Sequence, residues 1–393
     1  MPCSTSINDT STNLESQLAL FKIRIYVYIQ GCSLEHSFFQ VLMSNAPALE
    51  SIFISRVAFH EPLSVDPATD QMTVAGFRVP SEEGRAPEDS IKMNMEASVI
   101  KSMILHSIAG LQLADILRFA SNLPYLSLFN CDIGKHSSKD SDALLDHESL
   151  TGASGFQSIR DICLEGCPSK DTTKILQGAQ RSLSDFGLTS SPVTEFLVQA
   201  LVGGQHAVTL RRVMFRNVDL VDCEDAFHFI LCSLSGLELL VVWGGVMVCK
   251  PMLLEQTRWV CSNLNYLELK PQCDRGGESY SVEESQNAFM KQVGSLKKLR
   301  RLIFEEQSGD GDTLGFAPEK SLDLLGTMPC LETARLGLQA SRGLTIEHAK
   351  LILKKWPKLR RLNGVPVTEN TAFVDYMREH GPDIKVRRYL HEP

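Results

Sequence analysis

The sequence is short of the motifs that would make it a catalyst. It has no Gly-x-Ser-x-Gly elbow to lift a serine nucleophile from a sharp turn, no glycine loop ending in Lys-Ser or Lys-Thr to cradle phosphates, and no His-Glu-x-x-His pair. Its ten histidines are scattered. His106, His228 and His348 fall in stretches read as helical, with no orienting acid at a motif spacing, so structural roles are expected and an enzyme is not. Eleven cysteines form no dense framework. The closest spacing, Cys163-x3-Cys167, has no second ligand pair beside it, so neither a zinc site nor any cofactor is expected. No apolar run spans a bilayer: Leu18–Ile29 is too short and is interrupted by Lys22 and Arg24. The residues before it are polar and acidic, unlike the start of a signal peptide. An excess of basic charge is also missing, because the net charge is −8, which excludes a general nucleic-acid binder.

What the sequence does have is a repeat. Leu183/Phe186/Leu188, Leu210/Val213/Phe215, Leu237/Leu240/Val242 and Leu264/Leu267/Leu269 share the spacing L-x-x-L-x-L and start 27 residues apart. Looser copies extend it upstream, at Val27/Ile29/Cys32, Leu49/Ile52/Ile54, Leu123/Leu126/Leu128 and Ile159/Ile162/Leu164. Downstream copies begin at Leu299, Leu331 and Leu359. Four motifs in register, with a stretch of helical period in every gap, are the signature of a leucine-rich repeat. The expected fold is an α/β solenoid, a horseshoe of about ten irregular repeats with a concave parallel sheet and convex helices. In each unit three apolar side chains point inward from a short strand, and a helix closes over them.

Start signals place the helices at Ser191-Pro192, at Asp225, near Ser281 and Thr345, and at Thr368. A solenoid grows along one axis, so 393 residues fit one elongated domain over 17–380, with a disordered tail at 1–16 and a C-terminal tail at 381–393. Pro62, Pro67, Pro80 and Pro87 mark an insertion loop at 61–90, with a strand expected at Met72–Val79 and a helix across Met95–His106. Further insertions fall at Gln272–Ser281 and Gln307–Ala317. Asp310 and Asp312 in the last lack the other oxygen ligands that calcium needs. Cys131 and Cys167 stand three residues after a motif's last leucine, the interior ladder position of this repeat, and buried reduced thiols suit the cytoplasm or nucleus.

Strand parity locates a binding face. The third, fifth and seventh residues of each motif point to the concave side. Walking across the repeats gives Asp161, Cys163, Glu165; Asp185, Gly187, Thr189; Arg212, Met214, Arg216; Leu239, Val241, Trp243; Tyr266, Glu268, Lys270; and Arg301, Ile303, Glu305. Leu239, Val241 and Trp243 are expected to be exposed together beside Met214 and Tyr266, with Arg212 and Arg216 on the rim. An aromatic anchor ringed by arginine in an apolar patch fits a protein partner. The other reading is that Trp243-Gly244-Gly245 turns early and tucks Trp243 under the insertion at 272–281. Charge is polarised as well: from Ser295 onward 17 Lys/Arg face 13 Asp/Glu, a net +4 against −12 for the rest. That polarity can steer a partner.

Three segments resemble one family: Trp259-Val-Cys-Ser-Asn-Leu-Asn-Tyr-Leu-Glu-Leu269, Ser321-Leu-Asp-Leu-Leu-Gly-Thr-Met-Pro-Cys-Leu331 and Leu353-Lys-Lys-Trp-Pro-Lys-Leu-Arg-Arg-Leu-Asn-Gly364. They look like the C-terminal half of fungal F-box/leucine-rich-repeat proteins with ribonuclease-inhibitor-like repeats, over roughly residues 100–380. The resemblance implies a substrate-recognition subunit, with the repeats holding a protein and an F-box docking on the Skp adaptor of a cullin-RING ubiquitin ligase. Residues 1–48 lack the Leu-Pro pair at which an F-box opens, so the F-box is expected to be missing. A stand-alone binding module is therefore the alternative. A repeat protein activating a GTPase through one arginine such as Arg212 is the alternative from another class.

Overall fold

In the computed structural model, the residues described are 25–30, 33–34, 49–55, 58–59, 101–107, 123–131, 158–179, 183–204, 206–273, 281–304, 318–336, 343–366 and 368–387. The expected tail at 1–16, the insertion at 61–90 with its strand and the third insertion lie outside them. The chain divides into two compact units, 1–161 and 162–393.

Among the described residues the first unit carries four parallel strands of the main sheet in sequence order, β1 (Ile25–Gln30), β2 (Leu49–Ser55), β3 (Ser102–His106) and β4 (Tyr125–Phe129). β3 replaces the expected helix ending at His106. Its alternation is of period two, with Met103 and Leu105 fully buried. They stand in register between Ile52/Ile54 and Leu126/Leu128. A helix would take one of that pair off the core face.

The second unit continues with β5 (Asp161–Glu165), β6 (Asp185–Thr189), β7 (Arg212–Arg216), β8 (Leu239–Trp243), β9 (Tyr266–Leu269), β10 (Arg301–Phe304), β11 (Thr333–Arg335), β12 (Arg361–Asn363) and β13 (Lys385–Arg387). From β6 onward each pairs in parallel with the next. β13 falls in the segment expected to be a tail. Between the strands run α1 (Ser169–Gly178), α2 (Glu195–Val202), α3 (His206–Thr209), α4 (Ala226–Ser233), α5 (Pro251–Gln256), α6 (Val282–Gly294), α7 (Pro318–Leu325), α8 (Ile346–Lys355) and α9 (Thr371–His380). This is the α/β leucine-rich-repeat solenoid fold.

The repeat's leucines are its core. Leu183, Leu210, Leu237 and Leu264 are all fully buried, as are Leu188, Phe215, Val242 and Leu269 at the sixth position. Removing each such side chain from water contributes about 1.5–3 kcal/mol, so the stack rather than any single unit stabilises the fold. Phe215 meets Phe186 edge-on at 6.2 Å and Phe227 of α4 at 5.3 Å, which ties strand, neighbouring strand and helix together. The predicted ladder cysteines are buried too: the Cys131 thiol donates to Leu105 O at 3.4 Å, and the Cys167 amide donates to Ser191 Oγ at 3.1 Å.

The helix starts follow their caps. Ser281 forms a reciprocal capping box with Glu284, and Thr345 forms one with His348. Ser191-Pro192 is corrected: Pro192–Thr194 pairs as a short strand with Asp219–Val221, and Thr194 caps α2 through the Leu197 amide. The last helix starts after Asn370, two residues beyond Thr368, and the Asn370 side chain bonds Leu344 N and Pro366 O rather than the helix.

Candidate protein-binding face

Every described strand from β3 to β8, and β12, is followed by one residue with positive φ: Ser107, Asn130, Gly166, Ser190, Asn217, Gly244 and Gly364. That left-handed turn releases the chain from the sheet after the seventh motif position, or after the fifth in the shorter β12. The backbone amides at the turns bond onward across the ladder, Asn217 N to Trp243 O at 2.7 Å and Ser190 N to Arg216 O at 2.8 Å. Gly244 therefore turns where its counterparts turn, and not early. A Cβ there would meet Asn217 Oδ1 at 2.9 Å, in a backbone that L residues rarely adopt. Trp243 ends its strand like any other seventh residue and is 37% exposed.

Register builds the face around it. Asp185, Arg212, Leu239 and Tyr266 form one row, and Gly187, Met214, Val241 and Glu268 the next. Thr189, Arg216 and Trp243 form a third. Arg212 and Arg216 are exposed, while Leu239, Met214 and Tyr266 are half-buried. The Arg216 guanidinium lies 4.3 Å over the Trp243 ring, a cation–π contact between the two side chains. Arg212 sits 3.4 Å from Asp185. The Tyr266 hydroxyl donates to Glu268 Oε2 at 2.6 Å, with the Arg301 guanidinium 5.8 Å from its ring. Burial first, and the Glu268 carboxylate second, raise the Tyr266 pKa, which keeps that hydroxyl a donor.

Val241 departs from expectation. It is only 5% exposed, where strand parity predicted an exposed anchor. Its side chain is short, and it stands at the centre of the patch, between Met214 and Glu268 across the sheet and between Leu239 and Trp243 along its own strand. The longer neighbours cover it. The accessible large side chains of the patch are thus Trp243 and, half-buried, Leu239, Met214 and Tyr266. On the other side the face runs two strands beyond the parity walk: β11 and β12 present Thr333, Arg335, Arg361 and Asn363 at the same positions, and the Leu331 and Leu359 motifs are the signal for them.

The singled-out histidines do structural work. His106 ends strand β3 and makes a 3.2 Å hydrogen bond with Ser55 Oγ, so its expected helical setting is corrected along with β3. His348 completes the α8 capping box. His228 is 2% exposed; Trp259 Nε1 donates to its Nδ1 at 3.4 Å, which leaves Nε2 to donate to Thr257 Oγ1 at 2.6 Å. Cys232 Sγ lies 3.3 Å from the same ring, but burial raises the thiol's pKa, the opposite of an activated nucleophile.

Burial lowers the pKa of His228, opposed by Asp225, and also that of His206, opposed by its contact with Leu176 O. Groups held neutral in the folded state contribute stability that is present above about pH 6.5, the unfolded value, and is lost as pH falls toward the folded one. Urea midpoints are therefore expected to drop between pH 7 and pH 5. The His228→Gln variant should lose part of that slope, and an unchanged slope would contradict the assignment.

Among the described residues no group of three or more His, Cys, Asp or Glu is placed to hold a metal ion, and no helix is long and apolar enough to cross a membrane. No protein-family model matches the chain, and no curated protein matches it by sequence. Solved structures of similar fold include an internalin of Listeria monocytogenes, at 10% identity over 89% of this chain and 70% of that one with a TM-score of 0.41. A leucine-rich-repeat protein of Leptospira interrogans is similar at 12% identity, 87% and 91% coverage and a TM-score of 0.39. Yeast Rad7, solved in complex with Elc1, is similar at 12% identity, 73% and 80% coverage and a TM-score of 0.36.

Proposed function

We propose that this chain is a recognition module that grips a protein partner on the open face of its sheet, as a substrate-binding subunit related to the receptors of SCF-type ubiquitin ligases. The observation that carries the reading is Trp243, a large aromatic left 37% exposed on a sheet face and backed by Arg216, with Leu239 beside it and Met214 on the neighbouring strand. An exposed indole in an apolar patch, with arginine against it, is the composition of a binding hot spot. The ligase part rests on the resemblance of the repeats around Trp259 and Trp356 to fungal F-box/leucine-rich-repeat proteins.

The test is affinity purification of the tagged full chain and of Trp243→Ala from the same cells, scored by mass spectrometry. The expected result is a partner set that the variant depletes at least tenfold, about 1.4 kcal/mol of binding or more, without a change in melting temperature. Equal recovery by both forms would overturn the site. Recovery of the Skp adaptor and a cullin supports the ligase reading, and partner recovery without them leaves the stand-alone module.

A further inference from the structure

Beyond β9 the open face changes character. Register places Arg301, Thr333, Arg361 and Lys385 in one row and Ile303, Arg335, Asn363 and Arg387 in the next. Five of these eight are cations, and none is acidic. Arg301, Arg361, Lys385 and Arg387 are exposed and Arg335 is half-buried. Three arginines on or beside the strands are matched by carboxylates, Arg211 by Glu238 at 2.6 Å, Arg212 by Asp185 at 3.4 Å and Arg300 by Glu332 at 2.5 Å, while Arg216 lies over the Trp243 ring. Among the described residues no carboxylate forms a salt bridge with Arg301, Arg361, Lys385 or Arg387.

Lysine and arginine on β13 also serve to guard an edge strand against stray pairing. That does not account for Arg301, Arg335 and Arg361, because β10, β11 and β12 are interior strands. Like charges assembled on one face repel one another, and an anionic ligand relieves the repulsion.

The spacing selects among anions. Neighbouring strands lie about 4.8 Å apart and alternate residues about 6.7 Å apart, so the path from Arg301 to Arg335 to Arg361 zigzags in steps of about 8 Å. No three cations converge on one point, as a single phosphate requires of its arginines. Spread single charges on alternate sides of a line fit single charges on alternate sides of an extended chain. A nucleic-acid backbone would have to leave this short track for a remainder of the chain with net charge −12.

We propose that β10–β13 bind an extended acidic peptide, its aspartate and glutamate side chains alternating across the strands. This rests on the reading of the open face as a protein-binding surface and names the chemistry of the partner segment beyond the Trp243 anchor.

The test is fluorescence anisotropy on the full chain with a labelled twelve-residue Asp/Glu peptide. Its Asn/Gln counterpart, a neutral peptide with one phosphoserine, and a twelve-nucleotide single strand serve as competitors. The expected result is binding by the acidic peptide that weakens as salt is raised, loses at least tenfold in Arg335→Glu/Arg361→Glu, and is unchanged in Trp243→Ala. Lys385→Gln/Arg387→Gln, confined to the terminal strand, provides a second variant, expected to lose at least threefold, should the first fail to fold. Binding of the Asn/Gln peptide with equal affinity, tighter binding of the phosphopeptide or of the oligonucleotide, or no binding of the acidic peptide at millimolar concentration would each overturn the proposal. Failure here with loss of partners in Trp243→Ala would leave the anchor standing without an acidic segment; the reverse would leave the basic face alone.

Discussion

Phe289→Ala is expected to lower the free energy of unfolding by about 3–5 kcal/mol, measured by urea titration followed by circular dichroism. Phe289 is fully buried in α6. Its ring meets Trp259 edge-on at 5.8 Å and Phe304 of β10 at 5.7 Å. It therefore joins the segment ahead of β9, its own helix and the strand that follows it. Truncation removes the ring from both partners and leaves a cavity between consecutive repeats. A repeat contacts only its neighbours, so the loss falls on one interface, and hydrogen exchange should quicken around α6 and β10 more than at α1. Phe289→Leu keeps part of the volume and should cost clearly less. A loss under about 1 kcal/mol for the alanine variant would show that this ring is not the pin between the repeats.

How much of this was legible in the sequence follows from how many inward side chains each strand contributes. β6 to β9 show three apolar residues at fixed offsets and a 27-residue interval, and their register could be read directly. β3 fits the same template as Ile100/Met103/Leu105, but it stands only 23 residues before Leu123, and the methionines ahead of it imitate a helical period. β13 was illegible for a different reason. Of its inward positions only Val386 is apolar, and its backbone pairing with β12, not its side chains, makes it a strand. Parity placed the side chains of the open sheet face, since it depends only on alternation. It did not find the burial of Val241, because burial on a face depends on the neighbours on other strands as well as on its own, and no single motif contains them all. The left-handed turn after β4, β5, β7 and β8 is marked in the sequence by Asn130, Gly166, Asn217 and Gly244, one residue beyond the seventh motif position.

Gln292→Met is expected to cost about 3 kcal/mol or more, although the shape is nearly kept, because three backbone groups lose their partner at once. Gln292 is 9% exposed on α6. Its Nε2 donates to the carbonyls of Leu254 and Thr257, and its Oε1 accepts from the Trp259 amide at 3.2 Å. Leu254 lies in the last turn of α5, whose carbonyls have no partner within the helix, and Thr257 is the residue that ends it. Within its own repeat, the Thr257 amide and hydroxyl close only the Leu253 carbonyl, so a side chain from the next repeat completes the end of this helix. The hydrophobic motif cannot predict this, since the position looks like any polar residue in a helix. Gln292→Glu sharpens the argument, because a carboxylate accepts but cannot donate to the two carbonyls, whereas its protonated form donates to one. Burial raises the pKa of such a group above its unfolded value of about 4.3, so its stability is greatest below that pH and is lost as pH rises through the folded value. Measured against the wild type, Gln292→Glu should therefore be penalised less at pH 4.5 than at pH 8, while Gln292→Met should be penalised equally at both. A methionine variant within about 1 kcal/mol of the wild type at both pH values would mean that α5 is held by its packing alone and that the amide clasp contributes little.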